Sequence, residues 1–181
     1  MSVGHDESAA HLGSCEIKRL SSEELAKLDM VQGMTLIHDT KIALCDELEN
    51  VADCLPSNTD VLSCLSLAAK LLPVLRLAHA YEERVIFPAY EVVVAGTDYS
   101  MSVDRLRGEH ISDDCFAADL TDVLLKIGHG GHVGQAETFG YMLRGFFDSL
   151  RRHVAFESEH VVPILRNSLN SRRKLSNGSG Y

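Results

Sequence analysis

The chain of 181 residues has no tryptophan, four prolines, and five cysteines among which there is no CxxC pair. An odd, scattered set of thiols (Cys15, Cys45, Cys54, Cys64 and Cys115) is a poor disulfide framework and fits a reducing compartment. Thiol chemistry gains no support from the spacing either, since Cys45, Cys54 and Cys64 lie in or beside apolar stretches. Positive charge is scarce: 17 Lys and Arg stand against 26 Asp and Glu, for a net charge of −9. That balance argues against coating nucleic acid phosphates or anionic lipid. No apolar run approaches the roughly 18–20 residues of a membrane span. The opening MSVGHDESAAHLGSCE lacks a basic n-region and an apolar h-region. The expectation is therefore a cytoplasmic protein with no nucleic acid or membrane partner. Two-residue alternation is missing too: Val92-Val93-Val94 is too short to found a sheet.

What remains is helical periodicity. Apolar residues make up 45% of the chain, enough for one core at this length. Residues 1–20 are polar and small and read as a flexible tail. Ser21-Ser22-Glu23-Glu24 offers a capping box for a short helix running to about Met30. Four longer helical segments follow, at about 34–54, 60–94, 102–127 and 135–169, and Pro73 should kink or break the second. Turn-rich LPSNTD, AGTDYS and GHGGHVG connect them, and 171–181 reads as a second flexible tail. Helices joined by short loops without strands predict an all-α, antiparallel up-down four-helix bundle over 21–170, with a short extra N-terminal helix.

Nine histidines stand out, and four of them fall one to a helix on the apolar stripe. His38 leads Ile42, Cys45 and Leu48; His79 follows Ala68, Leu72 and Leu75; His110 follows Val103 and Leu106; His153 follows Met142 and Phe146. Two of the four carry a carboxylate one turn on, His79–Glu83 and His153–Glu157, side by side on one helical face. A carboxylate aimed into an apolar core is costly alone, and a metal ion removes that cost. Imidazole with carboxylate suits iron, manganese or zinc, and two carboxylates with four imidazoles are enough for two ions between facing helices. His160, two turns after His153, and Asp114, one turn after His110, are further candidates. His129 and His132 sit in a Gly-rich connection and read as loop residues; His5 and His11 lie in the tail.

At these residues the chain resembles the hemerythrin-like HHE cation-binding family. His79-Ala-Tyr-Glu-Glu-Arg-Val-Ile-Phe-Pro88 is similar to that family's H-x-x-E-E-x-x-x-F-P block, and His153-Val-Ala-Phe-Glu157 through Pro163 to its second copy. His38-Asp39 and Glu109-His110 match its single-His helices, so the resemblance covers about residues 30–168. It implies a hemerythrin-like bundle around two non-haem iron ions, oxo- or hydroxo-bridged, with zinc or manganese as alternatives. Carried over, His38, His79, His110 and His153 would be terminal ligands, with Glu83 and Glu157 as bridges. Aligning on Glu-Glu-Arg-Val-Ile-Phe-Pro favours Glu82 instead of Glu83, whereas the parallel with His153–Glu157 favours Glu83. Asp114 stands where the oxygen carriers have a second histidine, and Ser158 where they have an aspartate. The four-His, two-Glu pattern is closer to the family's iron-centre repair and iron- or oxygen-sensing members. Asp114 is either a ligand or a group that fixes the tautomer of one.

Three functions follow as expectations. The first is a di-iron protein that binds or senses O2, NO, peroxide or iron. The second is a di-iron enzyme of peroxide or NO detoxification or of iron-sulfur centre repair. The third is a metal-free helical interaction module. The implied partner is a small diatomic ligand or peroxide; the residues point to no protein partner.

Overall fold

A computed structural model of the protein describes residues 21–97, 101–132 and 134–178. The expected N-terminal tail, with Cys15, His5 and His11, lies outside them. The helix α1 (Ser22–Leu25) is short, and Ser21 caps it by accepting from the Glu24 amide. The first long helix, α2 (Met30–Cys54), starts four residues before the apolar periodicity does. Asp29 and Gln32 form a reciprocal capping box there, satisfying two amides that helix ends otherwise leave open. The second is a composite: α3 (Val61–Tyr81), a π-helical turn at Glu82–Ile86, then α4 (Phe87–Val94). The third is α5 (Met101–Gly128). The fourth is again composite: α6 (Ala136–Phe156), a π-helical turn at Glu157–Val161, and α7 (Val162–Gly178), which carries the helix well past residue 170.

The four long helices pack antiparallel, with α3 mainly against α5 and α2 mainly against α6. The expected break at Pro73 does not occur, and α3 runs straight through it. Pro73 and Ala69, whose carbonyl loses its donor, both face solvent, so water can take the place of the missing amide. The irregularities fall instead six residues upstream of each of the other two helical prolines, Pro88 and Pro163.

Val61–Val94 corrects the expectation that no segment is apolar enough to span a membrane. Its best 18-residue stretch has a mean hydropathy of 1.7, apolar enough to cross a membrane by length and composition. Core helices pass the same test, and here Cys64, Leu67, Leu71 and Leu75 are buried in the bundle.

Two large apolar cores occupy the bundle, beside a small cluster of Leu25, Ile37 and Ala78. One is built from Leu44, Leu48, Leu67, Leu71, Leu120, Leu143, Leu150 and their neighbours. The other gathers Met34, Ile86, Phe87, Tyr90, Leu106, Val161 and Leu165. Between them, along every long helix, lies a buried polar stretch: 38–41 on α2, 79–82 at the end of α3, 110–113 on α5 and 153–157 at the end of α6. This layer is where the site sits.

Candidate metal centre

Six of the side chains in that layer are the four stripe histidines with Glu82 and Glu157, all of them buried. The imidazoles share one design. Each turns Nδ1 outward to a partner from another element and leaves Nε2 facing the bundle axis. His79 Nδ1 lies 3.0 Å from Asp114, His110 Nδ1 2.9 Å from Glu83, and His153 Nδ1 2.9 Å from Glu109. An ionised carboxylate only accepts, so each of these Nδ1 atoms carries a proton and donates, and Nε2 is the atom turned inward. Carboxylate-backed imidazoles of this kind are oriented metal ligands. His38 differs, because its Nδ1 meets the Ser158 hydroxyl at 3.0 Å, which can donate or accept. Its Nε2 is 3.1 Å from Glu157 Oε2 and can therefore carry the proton.

The inward atoms converge. One donor atom from each of Glu82, His110, His153 and Glu157 lies within 4.8 Å of all the others. His79 completes the wall by stacking on His110, with ring centroids 4.0 Å apart, and Phe87 stacks on the far side at 5.4 Å. His79 Nε2, His110 Nε2, His153 Nε2 and Glu157 Oε1 are all buried without a hydrogen-bond partner. His110 Nε2 approaches Glu82 Oε2 to 3.1 Å, but not in hydrogen-bond geometry. Burial, helped by the Lys41 charge, holds the His79 imidazole far below its ordinary pKa, so it is neutral and able to ligate. Burial opposes ionisation of Glu157, yet Lys41 and the His153 and His38 rings overcome it and keep the carboxyl well below its usual range. The imidazole and carboxylate donors of this cluster suit a divalent iron, manganese or zinc ion.

The geometry departs from the sequence expectation at the carboxylate of the second helix. Glu82, not Glu83, enters the layer: Glu82 is fully buried, whereas Glu83 is half-exposed and backs His110 from outside. Both buried carboxylates stand at the head of a π-helical turn, in which the amide of Phe87 donates to the Glu82 carbonyl and that of Val162 to the Glu157 carbonyl. Each turn ends just before a proline, so the shared ruler is Glu six residues before Pro (Glu82–Pro88, Glu157–Pro163), and counting from the histidines misses it. The same widened turn brings Val161 inward and leaves His160 outside, half-exposed against Phe156. Asp114 orients His79 from outside the cluster. His129 bonds the Leu125 carbonyl at the end of α5, and His132 is exposed.

Three contributors escaped the sequence reading. Glu109 and Ser158 reach imidazoles 44 and 120 residues away, a distance at which no local spacing marks them. Lys41 is fully buried, with Nζ 2.7 and 2.9 Å from the two oxygens of Glu82 and 3.8 Å from Glu157 Oε2. Burial works against its ammonium, but Glu82 and Glu157 outweigh that and raise its pKa above the ordinary lysine value. Its place on the stripe, three residues after His38 and four before Cys45, was the available signal.

No curated protein and no solved structure matches the chain. The model of one family does match, the hemerythrin HHE cation binding domain, over residues 29–165. With most of its length under that match and a buried His/Glu cluster able to hold metal at its centre, the chain belongs to the hemerythrin HHE cation-binding family.

Proposed function

We propose that the protein is a non-haem di-iron protein of the cytoplasm whose centre binds a small ligand: O2, NO, peroxide or iron itself. The observation that carries this reading is the set of converging buried atoms without partners, His79 Nε2, His110 Nε2, His153 Nε2 and Glu157 Oε1. Leaving one buried acceptor unsatisfied costs about 1–3 kcal/mol, so four together would tax a marginally stable domain heavily without an ion. A metal-free interaction module has no use for that cost, nor for three carboxylates spent on aligning imidazoles. When bound, iron supplies electron transfer and open coordination positions for a small ligand. The chain's own residues do the rest. Glu83, Asp114 and Glu109 hold the rings in the ligating tautomer, and Phe87 with the apolar core around Ile86 and Val161 limits water at the centre.

Metal analysis of aerobically purified protein, together with its visible absorption spectrum, tests the reading. Iron is expected with charge-transfer bands in the near-ultraviolet and visible that shift on addition of NO to the reduced protein. Fewer than about one metal ion per chain after iron loading, with no such bands, would overturn it.

A further inference from the structure

Lys41 has no part in the ligand set, yet it is one of the most deeply buried side chains in the molecule. A buried ammonium is retained only against a strong counter-charge. Here that counter-charge is one carboxylate of the metal cluster taken whole, because Nζ bonds both oxygens of Glu82. The centre is thereby divided in two. On one side, His79 Nε2, His110 Nε2, His153 Nε2 and Oε1 of Glu157 are buried without a hydrogen-bond partner. On the other, Glu82 is engaged by Lys41, and His38 is engaged by Glu157 Oε2 at 3.1 Å. The tautomer of His38 agrees with this division. Its outer partner is a serine, so its Nε2 can carry the proton toward Glu157, whereas the carboxylates behind the other three rings draw a proton to Nδ1.

We propose that Lys41 is a built-in placeholder cation at the second metal position, so that the centre loads in two unequal steps. This rests on the metal-centre reading above and goes beyond it. The first ion meets ligands already free. The second must displace the ammonium from Glu82. Asp113, buried on α5 and within electrostatic range of Lys41, offers the displaced ammonium another carboxylate. Until then the layer has one internal positive charge against Glu82 and Glu157, so the bundle assembles before it is fully loaded.

Titration of the metal-free full chain with cobalt(II), followed by visible absorption and calorimetry, tests this. The expected wild-type result is one tight equivalent and a second at least about tenfold weaker. Lys41→Met removes the competitor, so its two equivalents should come within about threefold of each other. Metal-free Lys41→Met should also melt below the wild type and gain more from cobalt. Lys41→Gln, which keeps donors at Glu82 without the charge, guards against a folding defect and should bring the two affinities together likewise. Two equal equivalents in the wild type, or an undiminished separation in both variants, would overturn the proposal. No cobalt binding by any of the three proteins would overturn the metal-centre reading itself, a distinguishable result.

Discussion

Glu82 and Glu83 are adjacent in the chain and do different work. The first places both oxygens inside the bundle; the second reaches round to the outer nitrogen of His110. Glu82→Gln should therefore lower the metal bound at saturation, while Glu83→Gln should leave stoichiometry unchanged. Glu83→Ala, which strips the acceptor from His110, should weaken binding by about 10–100-fold without changing the number of ions. Metal analysis and titration of the three variants check this, and loss of an ion in Glu83→Gln alone would return Glu83 to the centre. The histidines were legible from sequence because α2, α3, α5 and α6 are regular where they carry them, and a 3.6-residue ruler holds there. Glu82 was harder, since Glu82 and Glu83 stand three and four residues after His79, both within reach of its helical face, and spacing alone does not choose between them. Of the carboxylates behind the rings, Asp114 was legible as a group that fixes a tautomer, whereas Glu109 was not, because it reaches His153 from a neighbouring helix and nothing local marks that contact.

The two π-helical turns are the element-scale device that aims the carboxylates. Each puts a Glu at its head and a Pro directly after the residue that closes it. A proline offers no amide to the preceding turn and crowds its carbonyl, which a widened turn relieves. Pro73 shows that a proline alone is insufficient, as α3 passes through it as a regular helix with the defect turned to solvent. At Pro88 and Pro163 the widened turn has a further role, swinging Glu82 and Glu157 to full burial. Pro163→Ala restores the amide and removes a residue that costs about 3 kcal/mol in a regular helix interior. The expected outcome is a melting temperature equal to or above the wild type, with metal affinity reduced at least about tenfold. Thermal unfolding beside a metal titration reads both quantities. A variant that loses stability and keeps its affinity would show that the turn does not depend on the proline.

At the scale of the whole molecule, the fold was the most legible property, because four amphipathic segments with short turns admit few arrangements. What sequence could not show was that the polar residues form a single layer between two apolar cores. That layer ties the helices together: α2, α5 and both π-turned segments each contribute to it. An ion held there binds the assembled bundle and not the unfolded chain, so its removal should loosen every helix at once. At a hundred times its Kd, an ion stabilises the fold by about 2.7 kcal/mol, roughly a hundredfold in the population of opened molecules. The cysteines report that opening. Cys54 and Cys115 are exposed, while Cys45 and Cys64 are buried in the core below the layer. Cys45 Sγ faces the Phe147 carbonyl at 3.6 Å, and burial pushes its thiol up to about 12, so the folded form does not react near neutral pH. In a Cys15→Ser background, Cys54 and Cys115 should label at once with or without metal. Cys45 and Cys64 should label slowly in the metal-loaded protein and about a hundredfold faster after chelation, where exchange is limited by the opened population. Labelling of Cys45 that ignores the chelator would mean that the layer contributes nothing to holding the helices together, whatever ion it binds.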